Sequence, residues 1–204
     1  MTQFAAMTVG GFLDQLAAKS PAPGGGAAAC VAGATAAALA HMVVAYSIGK
    51  KNLAEHQSHL ESAGAALQRA RVMLLQLADE DAAAYALVNE LQRLPESDAR
   101  RAAELPGAAA AAVAAPRAAL ALCVEMLRTI ESLSGRSNAH LRSDLAIAAV
   151  LAEAAARGAW WNVRINLSLV TDGAERSRLE AEGVRACADA AGARERVERA
   201  CGAA

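Results

Sequence analysis

Asp79-Glu80-Asp81 sits inside a long stretch striped with leucine. A step of two residues turns a helix by about 200°, so Asp79 and Asp81 cannot serve one pocket. Asp81 shares its face with Tyr85, four residues on, while Asp79 shares a face with Ala83. A carboxylate beside a phenol on a face otherwise lined by alanine is a candidate general acid–base group. The competing reading is a solvated acidic patch. Ser143-Asp144, with Asn138 just before it, places hydroxyl, carboxylate and amide groups ahead of an apolar helix. Helix capping by Ser143 or Asp144 accounts for one of them and not for both. Asn162 and Asn166 are four apart on one helical face and suggest a polar pocket or a polar subunit contact, with Arg164 pointing the other way alongside Trp160 and Trp161. Trp160 over Arg164 reads as a cation–π pair of structural worth.

A second chemical resource is main chain. Ser20-Pro21-Ala22-Pro23-Gly24-Gly25-Gly26 runs straight into an alanine-rich segment that ends at Gly49-Lys50-Lys51. Proline fixes φ and removes a donor, and glycine admits close approach. Bare backbone where a helix begins presents unpaired N–H groups and the positive end of the helix dipole. The glycines form no P-loop, since no Gly-Lys-Ser/Thr follows, and no dinucleotide fingerprint, since no strand precedes them. A tight packing turn is the alternative reading. Gly49 followed by Lys50 and Lys51 also reads as a solvated helix end. His56 and His59 stand beside Glu55 without a third ligand at a fixed offset, so no metal site is expected.

The elements that must position these groups are helices. Thr8 predicts a cap for a short helix carrying Phe12, Leu13 and Leu16. Residues 27–48 predict a buried central helix, with Ala29, Gly33, Ala36, Ala37 and Ala40 admitting close neighbours. Asn52 predicts the cap of a longer helix reaching Leu94, striped by Leu53, Leu60, Leu67, Leu74, Leu77, Val88 and Leu91. Pro95-Glu96-Ser97-Asp98 reads as a turn capping the next helix. Pro106 and Pro116 predict a break before a helix of residues 116–133. A helix from Ser143 to about Leu169 follows, then a turn at Thr171-Asp172-Gly173 and a last amphipathic helix. No run alternates with period two. The 204 residues therefore predict one all-α domain, a bundle of about five to seven helices around a long central one.

Composition narrows the function classes. The chain is 55% hydrophobic but 3% aromatic, with a net charge of −1. It lacks the basic footprint of a nucleic-acid binder. Residues 27–48 are long enough to span a bilayer, yet alanine, glycine and threonine insert poorly, so a soluble bundle is expected. Cys30, Cys123, Cys187 and Cys201 form no CxxC pair, and no signal peptide is read ahead of the first helix; a cytoplasmic protein with reduced, mostly buried thiols is expected.

The ordered set of Phe12-Leu13, the Ser20–Gly26 turn, Ile48-Gly49-Lys50-Lys51, Asp79-Glu80-Asp81-Ala82 with Ala84-Tyr85, Leu94-Pro95, Ser143-Asp144, Gly158 and Asn162–Leu167 resembles the cyclodeaminase/cyclohydrolase family of folate enzymes. Ala22 and Ala27 stand where threonine and serine are expected, leaving Ser20 as the turn's side-chain hydroxyl. The resemblance implies an all-helical homodimer and a tetrahydrofolate substrate, with no metal and no tightly bound cofactor. It further implies methenyltetrahydrofolate hydrolysis, or alternatively cyclodeamination of formiminotetrahydrofolate; a non-catalytic dimerisation module is the reading outside that class. Asp81 or Asp144 is then the acid–base residue, and Lys50 orients the developing oxygen or tunes the carboxylate. Ser20, Pro23, Gly24, Gly25, Gly26, Tyr85, Asn138, Asn162, Arg164 and Asn166 are the expected substrate contacts.

Overall fold

The computed structural model describes residues 4–202. Six α-helices form the bundle: α1 (Val9–Ala17), α2 (Gly25–Ala45), α3 (Gln57–Gln92), α4 (Ala99–Ser132), α5 (Arg142–Asn166) and α6 (Gly173–Gly202). No strand occurs among the described residues. α2 lies between α3 and α5, α4 closes the far side against both, and α6 covers α4 and α5.

Small residues set this arrangement. A methyl group at Gly33 would lie 3.1–3.3 Å from Leu74 of α3, Cys123 of α4 and Ala155 of α5, so four helices converge where one side chain is missing. Ala36, Ala37, Ala40, Val43 and Val44 of α2 are fully buried. From α3, Leu60, Leu67 and Leu74 fill the facing core on the expected seven-residue seam. Both α2 and α4 are long and apolar enough to cross a membrane, and half of each apolar window is buried inside the bundle.

Local signals place most boundaries. Thr8 Oγ1 accepts from Gly11 N–H at 3.0 Å, and Asp98 Oδ1 accepts from Arg100 and Arg101 N–H. Asp172 does the same for Ala174 and Glu175 at the start of α6. Three expectations need correction. Asn52 does not cap α3: Lys51–His56 forms a 3₁₀ turn first, and the α-helix begins at Gln57. Neither Ser143 nor Asp144 caps α5, because Asn138 Oδ1 caps the preceding 3₁₀ turn, which leads straight into the helix.

The third correction is the expected break at the prolines. α4 runs unbroken through Pro106 and Pro116. Pro116 cannot donate to the carbonyl of Ala112, four residues back. That carbonyl instead accepts a hydrogen bond from Asn166 Nδ2 of α5 at 2.7 Å. Pro106 leaves the carbonyl of Ala102, an exposed residue, without its intrahelical donor, where water can satisfy it.

Candidate functional site

The Pro/Gly turn folds on itself before delivering α2. Ser20 Oγ donates to the carbonyl of Ala22 at 2.9 Å, and the Ala22–Pro23 peptide is cis. Gly24 is the N-cap and contributes no side chain, so the N–H groups of the first turn have no intrahelical acceptor. These donors and the positive end of a 21-residue helix open onto a cavity of about 350 Å³. Residues Ser20 to Ala27 form one wall; Asp81, Ala82, Tyr85 and Asn162 form the other.

Asp81 is the acid that lines this cavity. Its carboxylate lies against the α-carbon of Gly26, so that any β-carbon at position 26 would overlap it. The missing side chain at Gly26 is therefore the space in which the carboxylate sits. Burial among alanines pushes the Asp81 carboxyl above the usual range. One turn further along α2, Cys30 is buried, and desolvation, with a smaller contribution from the Asp81 charge, pushes its thiol up to about 12. It is a neutral thiol near the site and not a nucleophile. Tyr85 is half exposed on the same face, as the i, i+4 spacing predicts.

Asn162 reaches the cavity from α5. Its Nδ2 donates to the carbonyl of Gly158, and its Oδ1 faces Gly25, where a methyl group would lie 3.8 Å away. One acceptor on α5 thus points at bare backbone on α2. The site therefore joins three helices at one end of the bundle. Its chemistry is a desolvated carboxylate, an amide oxygen, a phenol and a row of backbone donors. That set can hold a planar, polar ring system and move a proton at its edge.

The other expected residues lie elsewhere. Asp79 accepts from Phe4 N–H at 3.1 Å and pins the N-terminal turn to α3. Asn166 does not line the cavity; it serves the orphaned Ala112 carbonyl. Arg164 stacks on Trp161, 4.6 Å from the ring centroid, over a surface groove. The partner is not Trp160, whose buried ring occupies the space left open by Gly183 of α6. Lys50 follows the C-terminal end of α2. The buried Asn138 is tied to that end by its N–H donating to Ser47 Oγ at 2.8 Å, and Asp144 lies in the first turn of α5. Because α2 and α5 run antiparallel, Lys50, Asn138 and Asp144 stand about 30 Å from Asp81, the length of α2. Sequence spacing missed Cys30 as part of the Asp81 surroundings. The signal was present for Cys30, which is four residues beyond Gly26 on one face of α2.

A larger groove of about 730 Å³ runs between α4 and the start of α6. Its lining is mainly Ala, Leu, Pro and Val, and its arginines are engaged: Arg101 with the Leu94 carbonyl and Arg117 with Glu182. Size alone therefore does not pick the site. The smaller cavity holds the desolvated acid.

Known proteins resemble this chain over most of its length. The sequence model of the formiminotransferase-cyclodeaminase family matches residues 8–184. The methenyltetrahydrofolate cyclohydrolase of Methylorubrum extorquens is 34% identical over 189 residues, covering 90% of this chain and 91% of that protein. The formimidoyltransferase-cyclodeaminase of Mus musculus is 34% identical over 79% of this chain but only 31% of its own longer chain. The crystal structure of formiminotetrahydrofolate cyclodeaminase from Thermotoga maritima superposes with a TM-score of 0.86, at 28% identity over 96% of both chains.

Proposed function

Because the chain belongs to the formiminotransferase-cyclodeaminase family, we propose that it is a methenyltetrahydrofolate cyclohydrolase that works as a homodimer in the cytoplasm without a tightly bound cofactor. Near full-length similarity to a protein of that name supports the choice within the family. The observation that carries the enzymatic reading is the Asp81 carboxylate, buried in the notch at Gly26 beside the open N-terminus of α2.

The substrate is a cation whose charge is shared across N5, the bridging carbon and N10. Asp81, ionised, stabilises that cation and accepts a proton from the attacking water. The water oxygen bonds to the bridging carbon and gives a tetrahedral carbinolamine. The carbon–N5 bond then breaks, N5 takes the proton back from Asp81, and the carbinol O–H is lost as the formyl C=O forms on N10. The balance is methenyl cation plus water giving 10-formyltetrahydrofolate plus a proton. A carboxyl whose pKa is raised matches this two-way transfer better than an ordinary surface carboxylate. The Asn162 oxygen and the first-turn N–H groups of α2 supply an acceptor and donors for the ring edge, and Tyr85 supplies a flat face.

The test is a spectrophotometric assay. Purified protein should bleach the near-ultraviolet absorbance of methenyltetrahydrofolate much faster than buffer does. Formiminotetrahydrofolate with ammonia detection runs alongside, since the Thermotoga likeness favours cyclodeamination as the second reading. Ammonia release without hydrolysis would move the assignment to that reaction. Inertness toward both would leave a non-catalytic helical module.

A further inference from the structure

Pro106 and Pro116 lie in one helix, and each deprives the carbonyl four residues back of its donor, yet the two carbonyls end differently. The Ala112 oxygen is taken by Asn166 of α5. The Ala102 oxygen belongs to the stripe of α4 that walls the groove of about 730 Å³, where Leu105, Pro106, Ala109 and Val113 follow it and Leu169 and Leu179 stand across from them. A helical carbonyl points along the axis toward the residue four ahead, so this acceptor opens beside Pro106 within an apolar lining. The stripe from Ala102 to Arg117 is about 22 Å long, and the groove has the volume of a small-molecule site. It shares no described lining residue with the Asp81 cavity.

The charges around the groove do not cancel. Arg101 lies 4.0 Å from Glu96 and donates to the Leu94 carbonyl, so that pair is neutral. Arg117 is held by Glu182, and Arg178 by Glu175 and Glu182, which balances two acids with two guanidiniums. Asp172 is left over. Its Oδ1 accepts from the first N–H groups of α6, and among the described residues no cation is within ion-pair distance of it. The groove therefore offers a main-chain acceptor and one uncompensated negative charge beside a long apolar wall. An aliphatic acid would meet repulsion there, and an aliphatic cation would meet both an acceptor and a favourable field.

We propose that this groove is a binding site for a protonated aliphatic amine, its chain along the α4 stripe and its ammonium donating to the Ala102 carbonyl. The amine N–H replaces the water that otherwise serves that oxygen, as Asn166 replaces it at Ala112. Asp172 holds the cation through its field and needs no direct contact. The site is independent of the folate chemistry at Asp81.

Calorimetric titration with octylamine, against octanoate as the probe of opposite charge, tests it. At pH 7 and low salt octylamine should bind about tenfold tighter than octanoate, and equal or reversed affinities overturn the proposal. Ala110 is exposed on the groove wall, so Ala110→Trp should fold normally and lose octylamine binding; wild-type affinity in that variant overturns the location. Pro106→Ala returns an intrahelical donor to the Ala102 carbonyl and should weaken binding about threefold to tenfold while raising the melting temperature. An unchanged affinity there removes the carbonyl from the site. Asp172→Asn keeps a capping side chain but should narrow the preference for amine over acid, and a preference left intact refutes the field argument. Asp81→Asn should bind octylamine as wild type does, since a loss would place the amine in the Asp81 cavity instead. A fall in mass by light scattering on Ala110→Trp would make the groove a contact between copies of the chain and overturn the proposal.

Discussion

The two ends of α2 solve opposite problems. At its C-terminus the chain closes its hydrogen bonds. Ser47 Oγ donates to Val43 O and accepts from Asn138 N–H, Gly49 turns at φ +79°, and Gly49 N–H donates to Gln57 Oε1. At its N-terminus Gly24 offers no cap, the first-turn donors stay open, and a carboxylate is lodged where a side chain is missing. One end is finished as structure. The other is left with polar valence to spend on something outside the chain, and that difference, more than cavity size, marks the site.

Substitutions can break the contrast, beginning with the open end. Asp81→Asn should lower kcat by about 10²–10⁴, the range ascribed to a general acid–base group, with the far-ultraviolet spectrum unchanged. Gly26→Ala should lower kcat/KM by about 10-fold to 100-fold, because its methyl must evict the carboxylate from its notch. A KM-only effect there would mean that Gly26 shapes binding and not the position of Asp81.

Acidity sharpens the contrast further. Burial raises the folded-state pKa of Asp81, so the native state holds this proton more tightly than the unfolded chain. Its contribution to stability therefore falls as pH rises above the ordinary carboxyl value. Asp81→Asn should melt higher than wild type at neutral pH, and the gap should vanish below about pH 4, where both states are protonated. The acid limb of kcat/KM should lie above the usual carboxylate range and disappear in the variant.

Where polar groups are already satisfied within the chain, the effects should be on stability alone. Ser47→Ala removes a hydroxyl that serves two backbone groups and should cost about 1–3 kcal/mol in denaturant unfolding. Asn166→Ala, the structural amide of α5, should cost a similar 1–3 kcal/mol by stranding the Ala112 carbonyl. In a Pro116→Ala background, where the helix can satisfy that carbonyl itself, Asn166→Ala should cost distinctly less. A strictly additive pair would refute the rescue.

The sequence was legible where a residue acts on its near neighbours. Thr8, Asp98 and Asp172 mark helix starts through bonds spanning two or three positions, and the separation of Asp79 from Asp81 follows from helical pitch alone. It was illegible where the decisive partner came from another helix. Pro116 looks like a break until Asn166 is placed across from it, and Asn166 looks like a ligand group for the same reason. Gly26 reads as bare main chain at a helix start until Asp81, 55 positions away, is packed onto it. Lys50 and Asp144 were grouped with Asp81 by resemblance, and in one chain the antiparallel course of α2 and α5 sets them apart.

The adjacent tryptophans give the molecule two optical probes one residue apart. Trp160 is buried in the hollow left by Gly183, and Trp161 is in water beneath the Arg164 guanidinium. Emission should therefore be composite, a blue component from the first indole and a red one from the second. Peeling α6 away would take Trp160 from buried to exposed, a larger change than at Trp161, which is already 62% exposed. Intrinsic fluorescence thus follows the undocking of the last helix separately from the melting of the bundle that holds the site.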